Sequence, residues 1–126
     1  MRRPGRMYLL YEDGRVVCRV RLADSFCSRL LGLMFRKALP PGEGLLIKFP
    51  RYAGRGGVHS FFMRFPIDLY YLDETLKVVE SARLEPWRVH IPRRRCSYVL
   101  EVSAGTLKLR AGERLTLAPA PRERGG

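Results

Sequence analysis

The stretch VHSFFMRFPIDLYYLD, Val58 to Asp73, is the longest densely apolar run in the chain, and it sets His59 and Asp68 among aromatic residues. Val58 to Met63 is β-branched and aromatic, a composition suited to a pleated, largely buried surface. A period of two puts His59, Phe61 and Met63 on one face and Val58, Ser60 and Phe62 on the other, which predicts a central strand covered on both sides. Pro66 cannot donate to a ladder and marks a kink. Beyond it Ile67, Leu69 and Tyr71 oppose Asp68, Tyr70 and Leu72, and Asp73-Glu74-Thr75 turns into a third strand, Lys77 to Arg83.

Upstream, Met7–Tyr11 and Val16–Leu22 read as strands around Glu12-Asp13-Gly14-Arg15, and Asp-Gly is a strong hairpin signal. Asp24 or Ser25 is placed to cap a helix whose apolar stripe is Phe26, Cys27, Leu30, Leu31, Leu33 and Met34. Pro40, Pro41, Gly42 and Gly44 turn the chain into a strand from Leu45 to Phe49. The Gly- and Arg-rich segment PRYAGRGG, residues 50–57, lacks the lysine and spacing of a phosphate-binding loop and is expected to lie over a pocket. Downstream, a basic loop from Arg88 to Arg95 precedes a strand, Tyr98 to Val102, exposing Glu101 on the face of Val99, and a last strand from Arg114 to Leu117.

About seven short strands and one principal helix near the N-terminus predict an α+β, mainly β fold: a small, strongly curved antiparallel sheet or barrel. Residues 7–118 are expected to form one domain. The basic arm 1–6 and the tail 119–126 lack core-forming residues and are expected to be disordered.

A chain of 126 residues is long enough for a core without staples. No run approaches the roughly 18 apolar residues of a membrane span, and the apolar patch near the N-terminus is too short for a signal-peptide core. A cytoplasmic location with no membrane partner is the expectation. The net charge of +12 rests on 20 Arg and 4 Lys, with no Asn or Gln anywhere. Charge-rich, amide-free composition is the profile of a thermophile, although a GC-rich genome produces the same arginine bias. Cys18, Cys27 and Cys96 show neither paired spacing nor histidines at zinc spacing, and read as small buried hydrophobes.

The segments GLMFR at 32–36, the strand at 45–49, HSFFMRFPIDLYYLD at 59–73, Val78-Val79, Pro86-Trp87, YVLEVSAG at 98–105 and AGERL at 111–115 occur in family order. Together they resemble the domain of unknown function 192 family, also called uncharacterised protein family 0127, over about residues 7–118. The resemblance implies a compact, mainly β fold with a helix near the N-terminus, and it implies no activity. Many relatives carry a secretion signal or lipid anchor that this chain does not show, and the segment between Gly105 and Gly112 is short for the family.

Four residues stand out as ligand-binding candidates: His59, Met63, Asp68 and Glu101. A carboxylate beside an imidazole sets its tautomer and raises its pKa, as a base or ligand requires. Buried carboxylates with only a structural duty, pairing with donors in the core, fit the same pattern. A metal reading would gather the same four residues, His with Met for copper or His with carboxylates for zinc or iron. No metal and no cofactor is assigned. An alternative partner is nucleic acid, through Arg51, Arg55, Arg93, Arg94 and Arg95 with Tyr52 and Trp87 as stacking groups. Cys96 follows three arginines, which would lower its pKa if it were exposed, and no nucleophile elbow is present. The preferred expectation is a binding module whose His59, Asp68 and Glu101 converge on one partly enclosed site. A small metal-dependent or hydrolytic enzyme is the third reading, and catalysis is not assigned.

Overall fold

The structure is a computed structural model that describes residues 7–23, 39–50, 57–61 and 63–121. Among the described residues nine strands follow in chain order: β1 (Met7–Glu12), β2 (Arg15–Ala23), β3 (Glu43–Lys48), β4 (Val58–His59), β5 (Ile67–Leu72), β6 (Val78–Leu84), β7 (Val89–His90), β8 (Tyr98–Ser103) and β9 (Thr116–Pro119). Seven of them form one sheet in the order β6-β5-β8-β3-β2-β1-β9, and β4 pairs with β7 in a separate two-stranded ribbon.

The β1–β2 hairpin follows from Asp13-Gly14, whose φ angles of 51° and 80° are the left-handed pair that a two-residue hairpin loop needs. β5 is buried at every position, and β8 at its four central ones, because apolar side chains project to both faces of the sheet here. One face carries Leu45, Ile47, Leu69, Tyr71 and Val99, among others. The opposite face carries Val20, Leu46, Tyr70, Leu100 and Val102, again among others. Between β3 and β8 the backbones approach so closely at Gly44 that an added Cβ would lie 2.9 Å from the Glu101 carbonyl oxygen.

The expected α+β barrel is corrected by this arrangement. The described residues are all-β, with no helix among them, and the stretch Asp24 to Met34 expected to be helical lies outside them. The sheet is mixed rather than antiparallel, because β2 and β3 run parallel. It is also open. The lead-ins to its two edge strands meet at one bridge, Lys77 with Arg114, but no ladder follows, because β9 turns away to pair with β1 from Tyr8 to Tyr11.

The stretch from Val58 to Met63 is likewise not a central strand. Its regular part ends at His59, where the Ser60 carbonyl accepts bonds from both Met63 N–H (3.2 Å) and Trp87 N–H (2.9 Å). That turn buries Ser60 and Met63 and rotates Phe61 outward. The central positions belong to β8 and β3 instead.

Candidate functional site

β8 runs between β5 and β3, and Glu101 faces Leu69 on one side and Leu45 on the other. All three project to the same face, so the carboxyl stands in an apolar layer, 4% exposed. Among the described residues no hydrogen-bond donor or cation reaches it, and burial alone pushes its pKa up to about 8. Glu101 is therefore mostly a neutral carboxylic acid at pH 7, carrying one donor and two acceptor sites with no protein partner among those residues.

Tyr71 faces Val99, two residues along β8 from Glu101 on the same face, the diagonal distance at which long side chains still interact. Its hydroxyl lies 2.9 Å from His90 Nδ1, and His90 Nε2 lies 3.9 Å from Glu80 Oε2. Burial first, then the charges of Cys96, Glu101 and Glu80, push the Tyr71 phenol up, so it stays protonated. A carboxylate, an imidazole and a phenol thus run from the half-buried rim toward the Glu101 layer. His90 reaches this position because β7 pairs with β4, opposite Val58, whose side chain belongs to the same apolar layer. Sequence alone placed His90 in a basic loop and gave no sign of it.

Asp68 is on the other face. It is opposite Val102 and Arg83, one residue out of step with the Leu69–Glu101 pair. Burial raises its pKa, but the Arg83 guanidinium (2.8 and 3.2 Å) and the Gly105 N–H (2.8 Å) outweigh that and hold the carboxyl below its ordinary value. It forms one wall of an open groove of about 510 Å³ that also includes Tyr70, Ala82, Leu107 and Leu109. Its hydrogen bonds are met within the protein, which is the signature of a structural pair.

His59 points away from both carboxylates. On β4 it pairs with the exposed Val89, stacks on Phe61 at 4.9 Å, and accepts the Phe61 N–H at Nδ1 (3.2 Å). The expected convergence of His59, Asp68 and Glu101 does not occur. Of the four predicted ligand-binding residues, Met63 and Glu101 share the apolar layer, while Asp68 and His59 stand elsewhere. Among the described residues no three His, Cys, Asp or Glu side chains are grouped closely enough to hold a metal ion. Cys96 is buried and its thiol is pushed up to about 11 by that burial, so the preceding arginines do not activate it. Arg93, Arg94 and Arg95 are exposed, whereas Arg51, Arg55 and Tyr52 lie outside the described residues.

An open mixed sheet with a two-stranded ribbon against one face thus holds Glu101 in the apolar layer of that face. The sequence model of the domain of unknown function 192 family, described as an uncharacterized ACR, matches residues 9–117, and the chain belongs to that family. It is 41% identical over 87 residues to a UPF0127 protein of Pyrococcus horikoshii, covering 68% of this chain and 73% of that one. A UPF0127 protein of Pyrococcus furiosus is 39% identical over 100 residues, covering 76% of this chain and 84% of its own length. Both relatives are from thermophilic archaea.

Among solved structures, a Sinorhizobium meliloti protein provisionally named a transcription regulator superposes with a TM-score of 0.80 at 24% identity, covering 93% of this chain and 97% of its own. A protein of unknown function from Novosphingobium aromaticivorans gives a TM-score of 0.73 at 22% identity, covering 87% of this chain and 83% of that one. At these identities the likeness is one of fold. The family is one of uncharacterised function, and no helix among the described residues is long and apolar enough to cross a membrane.

Proposed function

We propose that the protein is a binding module for a small, largely apolar molecule carrying an amide or similar donor–acceptor edge, with Glu101 as the recognising group. The observation that carries this reading is that the Glu101 carboxyl, buried in an apolar layer, has no hydrogen-bond partner among the described residues. A core polar group without a partner costs free energy, commonly about 1–3 kcal/mol, and a structural duty would supply the partner that Asp68 has. A neutral carboxylic acid donates one hydrogen bond and accepts others, so it matches an amide edge without burying a net charge. Leu45, Leu69, Val99 and Met63 supply the apolar surroundings for the rest of such a molecule. Tyr71, linked through His90 to Glu80, offers a second polar contact beside the acid.

Methyl-labelled protein titrated with a series of straight-chain primary amides tests this. Shifts of Leu45, Leu69 and Val99 methyl signals that saturate, strengthen with chain length and vanish in Glu101→Leu are expected. Absence of saturable shifts at millimolar amide would overturn the reading.

A further inference from the structure

The second candidate surface is independent of Glu101 and lies on the outer side of the β4–β7 ribbon. Cross-strand pairing puts Val58 and His90 on the inner face, and His59 and Val89 on the outer one. Val89 and Ile91 alternate along the second strand and its flank, Phe61 is rotated outward by the turn after Ser60 to stack on His59, and Trp87 joins them through its ring contact with Phe61. The exposures run against the usual pattern: Phe61 is 38%, Trp87 54%, Val89 56% and Ile91 57% exposed. An outward ribbon face is ordinarily polar, and a contiguous apolar patch marks an interaction site.

The patch is held rigid. Trp87 occupies the third position of the turn Glu85-Pro86-Trp87-Arg88 with φ of 63°, a left-handed conformation that a bulky residue rarely adopts. Fully buried Ser60 fixes it by donating its hydroxyl to the Glu85 carbonyl (2.5 Å), accepting the Arg88 N–H (2.8 Å), and accepting the Trp87 N–H at its carbonyl (2.9 Å). The result is three rings in sequence, His59 on Phe61 at 4.9 Å and Phe61 by Trp87 at 6.0 Å. Strain tolerated in order to display an aromatic side chain points to recognition.

Charge decides the occupant. Arg64, Arg88, Arg93, Arg94 and Arg95 are all exposed, and neither 57–61, 63–65 nor 86–95 contains an acidic residue. With the net charge of +12, the complementary partner is a polyanion that presents flat apolar faces. We propose that this outer ribbon face binds single-stranded nucleic acid, with bases stacked on Phe61 and Trp87 and phosphates paired by Arg88 and Arg93 to Arg95. A duplex hides its base faces and fits the rings poorly, whereas a single strand offers both bases and phosphates.

Trp87 is the only tryptophan in the chain and so reports on its own surface. Titration with single-stranded oligothymidylate at low salt should quench its emission saturably. The logarithm of affinity should fall linearly with the logarithm of salt. Replacing Arg93, Arg94 and Arg95 with Ala should reduce that slope by about 2, from roughly 0.7 per phosphate contact. Phe61→Ala, at an exposed position, should weaken binding roughly 5- to 150-fold, and Glu101→Gln should leave it unchanged, which separates this surface from the Glu101 site. No quenching at low salt would overturn the proposal. So would affinity that survives Phe61→Ala, or a blue shift with phosphatidylglycerol vesicles in place of any response to oligothymidylate.

Discussion

Asp68 and Glu101 sit on neighbouring strands, both within the sheet's buried centre, yet they have opposite electrostatic lives. Asp68 accepts hydrogen bonds from Arg83 and Gly105 and is held below its ordinary pKa. Glu101, through burial alone, is pushed up to about 8. The difference comes from one residue of register: Asp68 is opposite Val102 while Leu69 is opposite Glu101, so the two carboxyls emerge on opposite faces. One face ends near an exposed arginine on an edge strand, and the other lies among Leu45, Leu69 and Tyr71. Asp68 is paired within the fold, whereas Glu101 has no partner among the described residues.

The largest expected effect is the pH dependence that Glu101 imposes. Its folded pKa of about 8 stands above the unfolded value of 4.5, so the native state binds the extra proton between these limits. The part of the stability linked to Glu101 is therefore fully present below about pH 4.5 and is lost as pH rises through the folded value. At about 1.4 kcal/mol per pKa unit the loss amounts to a few kcal/mol. Denaturant melts across this range should show the decline in the native protein and its absence in Glu101→Gln, which should be the more stable of the two in alkali.

Next in size is Gly44→Ala. Its new Cβ would meet the Glu101 carbonyl oxygen at 2.9 Å and Val102 Cγ1 at 3.0 Å, and overpacking of this kind costs about 1–3 kcal/mol. An unchanged melting midpoint would mean that β3 and β8 are less closely apposed than described.

Asp68→Asn should cost about 2 kcal/mol at neutral pH by weakening charge-assisted bonds. Because the folded pKa of Asp68 is lowered, its contribution is present above the ordinary carboxylate pKa and disappears as pH falls through the folded value. The variant and the native protein should therefore converge in acid. Arg83→Met should be the smallest change, since the guanidinium is well exposed, and its melt should match that of an ordinary surface substitution. A larger effect from Arg83 than from Asp68 would break the contrast between the two acids.

Much of this was legible in the residues. The runs at 67–72 and 98–102 were legible as strands, and Asp13-Gly14 marked the first hairpin, but the central place was assigned to Val58–Met63 instead. Which acids share a face was not legible, because register between distant strands is a tertiary property and a one-residue slip exchanges the faces. The same limit hid His90, which joins Tyr71 only because β7 pairs with β4. The aromatic run at Val58 suggested a central strand, but the backbone of Ser60 is taken up by the 85–88 turn, and Phe61 faces solvent. One signal was present and passed over: Trp87, Val89 and Ile91 alternate within a segment whose arginines made it read as a loop.

The central claim is that Glu101 is held neutral inside the sheet, with no partner among the described residues. A carbon-13 NMR titration of its side-chain carboxyl measures this directly. The account predicts a midpoint near 8, with Asp68 titrating below its ordinary value in the same experiment. A Glu101 midpoint at or below the ordinary glutamate value would contradict it, because the carboxyl would then be ionised and partnered, and the contrast with Asp68 would disappear.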